Sequence, residues 1–244
     1  MKEPLINATH LNGGYGQRLV LHDINLHILP NTITAILGTS GCGKTTLLKH
    51  LIGLLPPMEG TVRFLGEDLF QSDEKELNRL RNKMGVLFQN GALLNSLPVS
   101  ENLAIPFEQH TNLPREMIEQ LVRQKLHLVG LSSAYDLLPS QLSGGMRKRA
   151  ALARAIALDP LILFADEPNA GLDPVTAKSL DQLLLSLKVR LNITVVLVTH
   201  EIISIKRIAE HVIYLHEGRI LFDGSLSAAL NSTIEPVQNF FTSD

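Results

Sequence analysis

The chain has 244 residues, 45% of them hydrophobic, and a formal net charge of −2. That length suits one large domain or a core with an inserted subdomain, and the apolar content excludes a disordered chain. The near-neutral charge argues against a general nucleic-acid binder, while the single cysteine, Cys42, excludes an intrachain disulfide framework and points to a reducing compartment.

In chain order, "MKEPLINATH" (1–10) lacks the apolar stretch of a signal peptide. "INLHI" (24–28) alternates apolar and polar residues, as a half-buried antiparallel strand does. "ITAIL" (33–37) is a continuous apolar run, and "TVRFLGED" (61–68) reads as strand then turn. Asp73 and Glu76 form a capping box before Leu77, Leu80 and Met84. "GVLF" (85–88), "LILFA" (161–165) and "ITVVLV" (193–198) are further apolar runs, which with "ITAIL" predict strands buried on both faces of a parallel sheet. Residues 89–157 are mostly helical in pattern and predict a helical insert between two such strands. Within it, Pro114 suits a first helical position and Gly130 a helix end. Asp173–Pro174 is a cap followed by a first-turn proline, opening a helix to about Arg190. Strands alternating with helices make this an α/β chain. The longest apolar runs are strand-length, whereas a spanning helix needs about 20 apolar residues, so any membrane role is expected to come through a partner.

Two stretches carry chemistry at once. Gly38, Gly43, Lys44 and Thr45 satisfy G-x-x-x-x-G-K-[ST] between a predicted strand and a predicted helix. The glycines let successive N–H groups turn toward the β- and γ-phosphates of a nucleotide. Lys44 adds a positive charge there, and the Thr45 hydroxyl can ligate Mg²⁺. "LILFADE" (161–167) ends an apolar strand in two acids. Asp166 can hold Mg²⁺ through its water shell, and Glu167 can orient and deprotonate an attacking water. Taken alone, the acids also read as decoration of a helix N-terminus. A second loop, "LSGGMRKRA" (142–150), is also built for an anion but has no phosphate-gripping lysine of its own. Its "MRKR" (146–149) reads as a solvated helix face in preference to an anion site. Cys42 reads as a small residue in a tight loop in preference to a redox switch.

The order of these elements, with Gln89 in "LFQNG", Asp173 in "AGLD" and His200 in "VTHE", resembles the ATP-binding subunit of ABC transporters over essentially the whole chain. The resemblance implies a single ABC ATPase domain over 1–244. Its P-loop NTPase (RecA-like) core with an antiparallel β subdomain would occupy 1–88 and 158–244, and the inserted α-helical subdomain 89–157. It makes "GTSGCGKTT" the Walker A loop, so that Gly38, Thr39, Ser40, Gly41, Cys42, Gly43, Lys44, Thr45 and Thr46 line ATP. Tyr15 falls where the family stacks adenine, although an aromatic in a Gly-flanked turn can equally be local packing. Gln89 would sense Mg²⁺ and the attacking water, and His200 would bond the γ-phosphate or simply cap a strand–helix corner. Asp173 would serve the shared ATP site, cap its helix, or do both. The family also explains the missing second lysine. Each pocket of a head-to-tail homodimer takes its Lys44 from one copy and Ser143, Gly144 and Gly145 from the other. ATP and Mg²⁺ are the implied ligands. Two departures stand out: "PNT" (30–32) replaces the usual Gly–Glu before the first core strand, and Met146 replaces the signature's usual Gln.

"PSQLSGGMRKRAALARAIALDP" (139–160) and "GVLFQNGALLNSLPVSENLAIPF" (85–107) further resemble the ATPase of Mla-type systems, which move phospholipids or other lipids between bacterial membranes. That resemblance implies a transmembrane permease, an MCE-domain lipid-binding protein and a STAS-domain subunit as candidate partners, with no nucleic acid. It places the chain peripherally on the cytoplasmic face of the inner membrane. The two prolines in "GALLNSLPVSENLAIPF" (91–107) are expected to prevent one continuous helix. Apolar residues around Ala92–Pro98 are expected to stay exposed for the permease's coupling helix. The tail "IEPVQNFFTSD" (234–244) is amphipathic enough to pack on something. Other readings keep the same catalytic residues: a small-solute or amino-acid importer, a lipoprotein-release system, or a soluble non-transport ABC ATPase. A simple P-loop kinase would have no use for "LSGGM" or the histidine.

Overall fold

The computed structural model describes residues 3–242. In chain order the elements are β1 (Ile6–Tyr15), β2 (Arg18–Ile28), β3 (Ile33–Gly38), α1 (Lys44–Leu51), β4 (Glu59–Phe64), β5 (Glu67–Asp68), α2 (Glu74–Arg81), β6 (Met84–Leu87), α3 (Val99–His110) and α4 (Arg115–Leu128). They continue with α5 (Gly144–Ala155), β7 (Ile162–Asp166), α6 (Pro174–Leu191), β8 (Thr194–Val198), α7 (Ile202–Ile208), β9 (His211–His216), β10 (Arg219–Ser225), α8 (Leu226–Leu230) and α9 (Glu235–Thr242). Two compact units result. One comprises the chain up to Arg81 together with the chain from Thr194 on, and the other comprises Asn82–Ile193.

The first unit contains two kinds of sheet. β1 pairs antiparallel with β2 and β4, and β4 with β5. Along β2, Ile24, Leu26 and Ile28 are buried while Asn25 and His27 are exposed, which is the alternation read in "INLHI". In the second sheet β3 lies parallel to both β8 and β9, and β10 returns antiparallel to β9. Every residue of β3 and β8 is buried, because sheet neighbours and covering helices leave neither face to water. The tail finds its partner within this unit. Val237 and Phe241 of α9 join a core with Leu37, Ile205, Val212 and Tyr214, and Phe240 meets the Tyr214 ring edge-on at 5.6 Å. The last two tail residues, like Met1 and Lys2 of the N-terminal stretch, lie outside the described residues.

In the second unit β6 and β7 are parallel, with Leu87 opposite Ala165. Residues 162–165 of β7 are fully buried. The expectation for "GVLF" needs correction: Gly85 and Leu87 are buried, Met84 and Val86 are half-buried, and Phe88 lies beyond the strand, exposed. The reason is that β6 ends its sheet. Met84 likewise opens β6 and does not extend the apolar face of α2, although Asp73 does cap that helix through the Glu76 amide at 2.8 Å.

Between β6 and β7 run α3, α4 and α5. Pro98 stands immediately before α3, but α3 runs through Pro106, so only the first of the two prolines marks a helix boundary. Burial of Leu103 and Phe107 on either side of Pro106 holds that turn. Gly130, with φ of 71°, terminates the chain leaving α4 and bonds back to the His127 carbonyl at 3.0 Å.

Candidate functional site

The phosphate-loop half lies in the first unit. β3 delivers the chain to Gly38, whose φ of 145° suits glycine and whose missing Cβ would stand 2.1 Å from the Leu215 carbonyl oxygen. Only a glycine lets β9 come that close. The β9–β10 turn also grips the loop through Gly218 N–H to the Cys42 carbonyl, 3.1 Å. Thr39, Ser40 and Gly41 are exposed on the outer curve, and Cys42, Gly43 and Thr46 are buried beneath it. Lys44 opens α1 and folds back over the loop, donating to the carbonyls of Gly38 (2.8 Å) and Thr39 (2.9 Å). Thr45, in the first turn of α1, is exposed. A helix N-terminus, a curled backbone and a pre-held ammonium together form a cradle for a polyphosphate.

Cys42 is a buried free thiol in this setting. Burial pushes its thiol above the ordinary value, and the nearby Lys44 ammonium only partly opposes that. Tyr15 ends β1 next to α1. Its hydroxyl accepts from Lys49 Nζ at 3.2 Å, and the same ammonium lies 5.3 Å from the ring centroid. The Thr46 hydrogen bond, followed by Lys49 and against partial burial, holds the phenol below its usual range. The structure thus brings Tyr15 to the first turns of the phosphate-loop helix. His200, exposed just past β8, lines a cavity of about 600 Å³ with Thr39, Tyr214, His216, Glu235 and Phe240. Loop and histidine therefore share one recess.

The acidic half lies in the second unit. β7 ends at half-buried Asp166, and the next residue, Glu167, takes a left-handed φ of 45°. A non-glycine residue in that region is strained and persists only where its surroundings hold it. Two donors reach the Glu167 carbonyl: Ala170 N–H at 3.2 Å and Lys148 Nζ at 3.1 Å. The buried Asn169 side chain donates to the buried Asp181 carboxylate at 2.8 Å, fastening the following loop to α6. Gln89, two residues beyond β6, is exposed, and its carbonyl accepts from Lys148 at 2.6 Å.

The second glycine loop is a helix start. Ser143 caps α5 by accepting from Met146 N–H at 3.2 Å, and Ser143 and Gly144 are exposed. Gly145 must lack a side chain, since a Cβ there would lie 2.5 Å from the Thr176 methyl of α6. Asp173 is occupied as a cap. One oxygen accepts the Val175 and Thr176 amides at 3.0 Å each, and the other accepts the Thr176 hydroxyl at 2.5 Å.

The "MRKR" expectation is overturned. Lys148 is buried, and Arg149 bonds the Val129 carbonyl at 2.8 Å and Ser179 Oγ at 2.7 Å. Lys148 and Arg149 turn inward because they lie at helical spacing from buried Ala151, Leu152 and Ala153, while Arg147 stays exposed as expected. That spacing was the available signal for Lys148, which sequence reasoning missed.

Phosphate-binding chemistry fits the donors of the first unit: a curled backbone that excludes a Cβ at Gly38, one lysine and an exposed threonine hydroxyl. Among the described residues no helix is long and apolar enough to cross a membrane. Comparison with known proteins places the chemistry. The profile of the family described as ABC transporter matches residues 21–170. The intermembrane phospholipid transport system ATP-binding protein MlaF of Haemophilus influenzae is 40% identical over 95% of this chain and 88% of its own length. The probable ribonucleotide transport ATP-binding protein mkl of Mycobacterium leprae is 38% identical over 97% of this chain and 68% of its own length. Among solved structures, cbiO1 of Clostridium perfringens, part of the ABC transporter complex cbiONQ, superposes with a TM-score of 0.87 at 29% identity, covering 95% of this chain and 92% of its own. The ATP-binding cassette MJ0796, solved as a dimer in a post-hydrolysis state with ADP and Pi, gives 0.82 at 31% identity, covering 91% and 98%.

Proposed function

The chain belongs to the ABC transporter family as an ATP-hydrolysing subunit, and from that premise we propose that it powers phospholipid transport between membranes through a separate permease. The observation that carries the ATP chemistry is the loop of residues 38–46, with Lys44 drawn back over the Gly38 and Thr39 carbonyls. The likeness to MlaF along nearly the whole chain supports the lipid cargo.

In this reading the loop's amides and Lys44 hold the β- and γ-phosphates, while Tyr15 stacks on the adenine. Thr45, Asp166 and Gln89 would hold Mg²⁺, which would neutralise charge on the phosphate oxygens. Glu167 takes the proton of the attacking water, and Gln89 orients that water. His200 bonds the γ-phosphate and favours hydrolysis over release. Ser143, Gly144 and Gly145 of a second copy close the phosphate cage, and Asp173 supports that closure from the loop before α6. The chain then works as a homodimer whose closing and opening follow ATP binding and hydrolysis.

Residues 89–157 act as the signature-bearing helical subdomain, and 1–88 with 158–244 as the catalytic core with its β subdomain. Ala92 and Leu94 are exposed while Leu93, Leu97 and Pro98 are half-buried, an apolar strip suited to a permease's coupling helix. An MCE-domain lipid-binding protein and a STAS-domain subunit complete the proposed complex, and the chain sits peripherally on the cytoplasmic face of the inner membrane.

The test is to isolate the chain with its permease in detergent, identify the bound lipids, and follow ATP-dependent transfer of labelled phospholipid between vesicles. Phospholipid in the complex and transfer that stops with Glu167→Gln are expected. A specific likeness, that to mkl, favours a second cargo. ATP-driven uptake of a ribonucleotide, with no lipid moved, would replace the lipid reading.

A further inference from the structure

Lys148 of α5 is buried, with 8% of its surface exposed, and its ammonium lies 2.6 Å from the Gln89 carbonyl and 3.1 Å from the Glu167 carbonyl. The strand register explains how one side chain reaches both. Leu87 and Ala165 are paired across β6 and β7, and Gln89 and Glu167 each lie two residues further along. The two strands therefore leave the sheet side by side, and α5 spans their exits. A buried ammonium is tolerable only when oxygen acceptors surround it. Here two of those acceptors are main-chain carbonyls of functional loops.

The consequence falls on Glu167. Its backbone is held at φ of 45°, a conformation that directs where its carboxylate goes and that needs outside support. The neutral Ala170 amide gives one bond to its carbonyl, and the charge-assisted bond from Lys148 is the stronger kind.

We propose that Lys148 is a positioning residue for hydrolysis: it clamps the Glu167 backbone in its left-handed conformation and ties that clamp to the Gln89 loop and to the helix that Ser143 begins. The inference rests on the reading of Glu167 as the general base. Because α5, the Gln89 loop and the Glu167 loop meet at one ammonium, a shift of either loop or of the helix alters the base's placement. Lys148 acts through the Gln89 and Glu167 carbonyls. Its effect is on how often the carboxylate stands where the water will be.

Three variants of the full chain test this: Lys148→Met, Lys148→Arg and Glu167→Gln. The measurements are kcat and KM for ATP with Mg²⁺, affinity for a fluorescent ATP analogue, and Tm. Misplacing a catalytic group by about an ångström costs on the order of a hundredfold in rate. Lys148→Met is therefore expected to lower kcat by roughly that factor, with nucleotide affinity and KM within about twofold of the parent. Lys148→Arg keeps charge and donors and should recover at least about a third of the parental kcat.

A Lys148→Met enzyme with kcat within about twofold of the parent overturns the inference. So does a loss of kcat matched by equal losses in nucleotide affinity and Tm, the pattern of a residue that only supports the fold. Lys148→Arg that stays as slow as Lys148→Met, with parental Tm, also overturns it. If Glu167→Gln hydrolyses at the parental rate, the reading of Glu167 as base fails and the clamp has no object. If Glu167→Gln is inactive while Lys148→Met is not, only the clamp fails.

Discussion

Lys44 holds its ammonium 2.8 Å from the carbonyl oxygen of Gly38, six residues earlier, so the loop folds its own lysine back over itself. The two partners of the bond bracket the turn between β3 and α1. The charge is thereby placed in advance, and a polyphosphate binding there finds it ordered.

Replacing Lys44 by Ala removes the charge and leaves the Gly38 and Thr39 carbonyls to water. Hydrogen bonds to a charged group contribute about 1.5–3 kcal/mol each, so ATP affinity should fall roughly ten- to a hundredfold. Equilibrium binding of a fluorescent ATP analogue measures this. Unchanged affinity would remove Lys44 from the phosphate site.

Cys42 lies under the same turn, its sulfur 3.9 Å from the Lys44 ammonium. Burial dominates over that charge and raises the thiol's pKa, so the neutral thiol prevails at neutral pH. Alkylation by iodoacetamide should therefore be slow at pH 7 and accelerate only at pH above the ordinary thiol value. Cys42→Ala should keep ATPase activity within about twofold, since the site needs a small side chain and not a nucleophile. Rapid labelling at pH 7 would show the thiolate to be favoured after all.

The phosphate loop was the most legible part of the molecule, because nine adjacent residues carry it and a strand and a helix bracket them. Tyr15 could be named but not placed; its position depends on Lys49 and Thr46, more than thirty residues away in sequence. "GVLF" was misread because an edge strand and a central strand of a parallel sheet share the same apolar letters. Lys148 escaped notice because four consecutive residues, "MRKR", look like a solvated face, whereas the helix turns each of them to a different side. The sequence allows Asp173 two roles, and the bonds to Val175 and Thr176 establish the capping one.

Glu167→Gln keeps the shape of the side chain but cannot take a proton. A general base contributes about 10²–10⁴ in rate, so hydrolysis should fall by that order while ATP still binds. With the base disabled, ATP should hold two copies together. Size-exclusion chromatography with light scattering should then show a doubled mass with ATP that reverts when the nucleotide is removed. Parental turnover, or a monomer at saturating ATP, would count against the shared site.

Asp173 provides a pH signature. The Thr176 hydroxyl foremost, then the Thr176 and Val175 amides, hold its carboxyl below the usual aspartate range. A carboxylate whose pKa is depressed by folding contributes stability that is fully present above the unfolded value, about 3.9, and is lost as pH falls through the folded value. Asp173→Ala should therefore have a lower Tm than the parent at pH 7. The gap should begin to narrow only below about pH 4, as the unfolded state takes up the proton first, and close once the folded state is protonated too. Thermal melts of both proteins from pH 7 downward measure it. A gap that closes between pH 7 and 5 would mean that some other group, titrating higher, supports the start of α6.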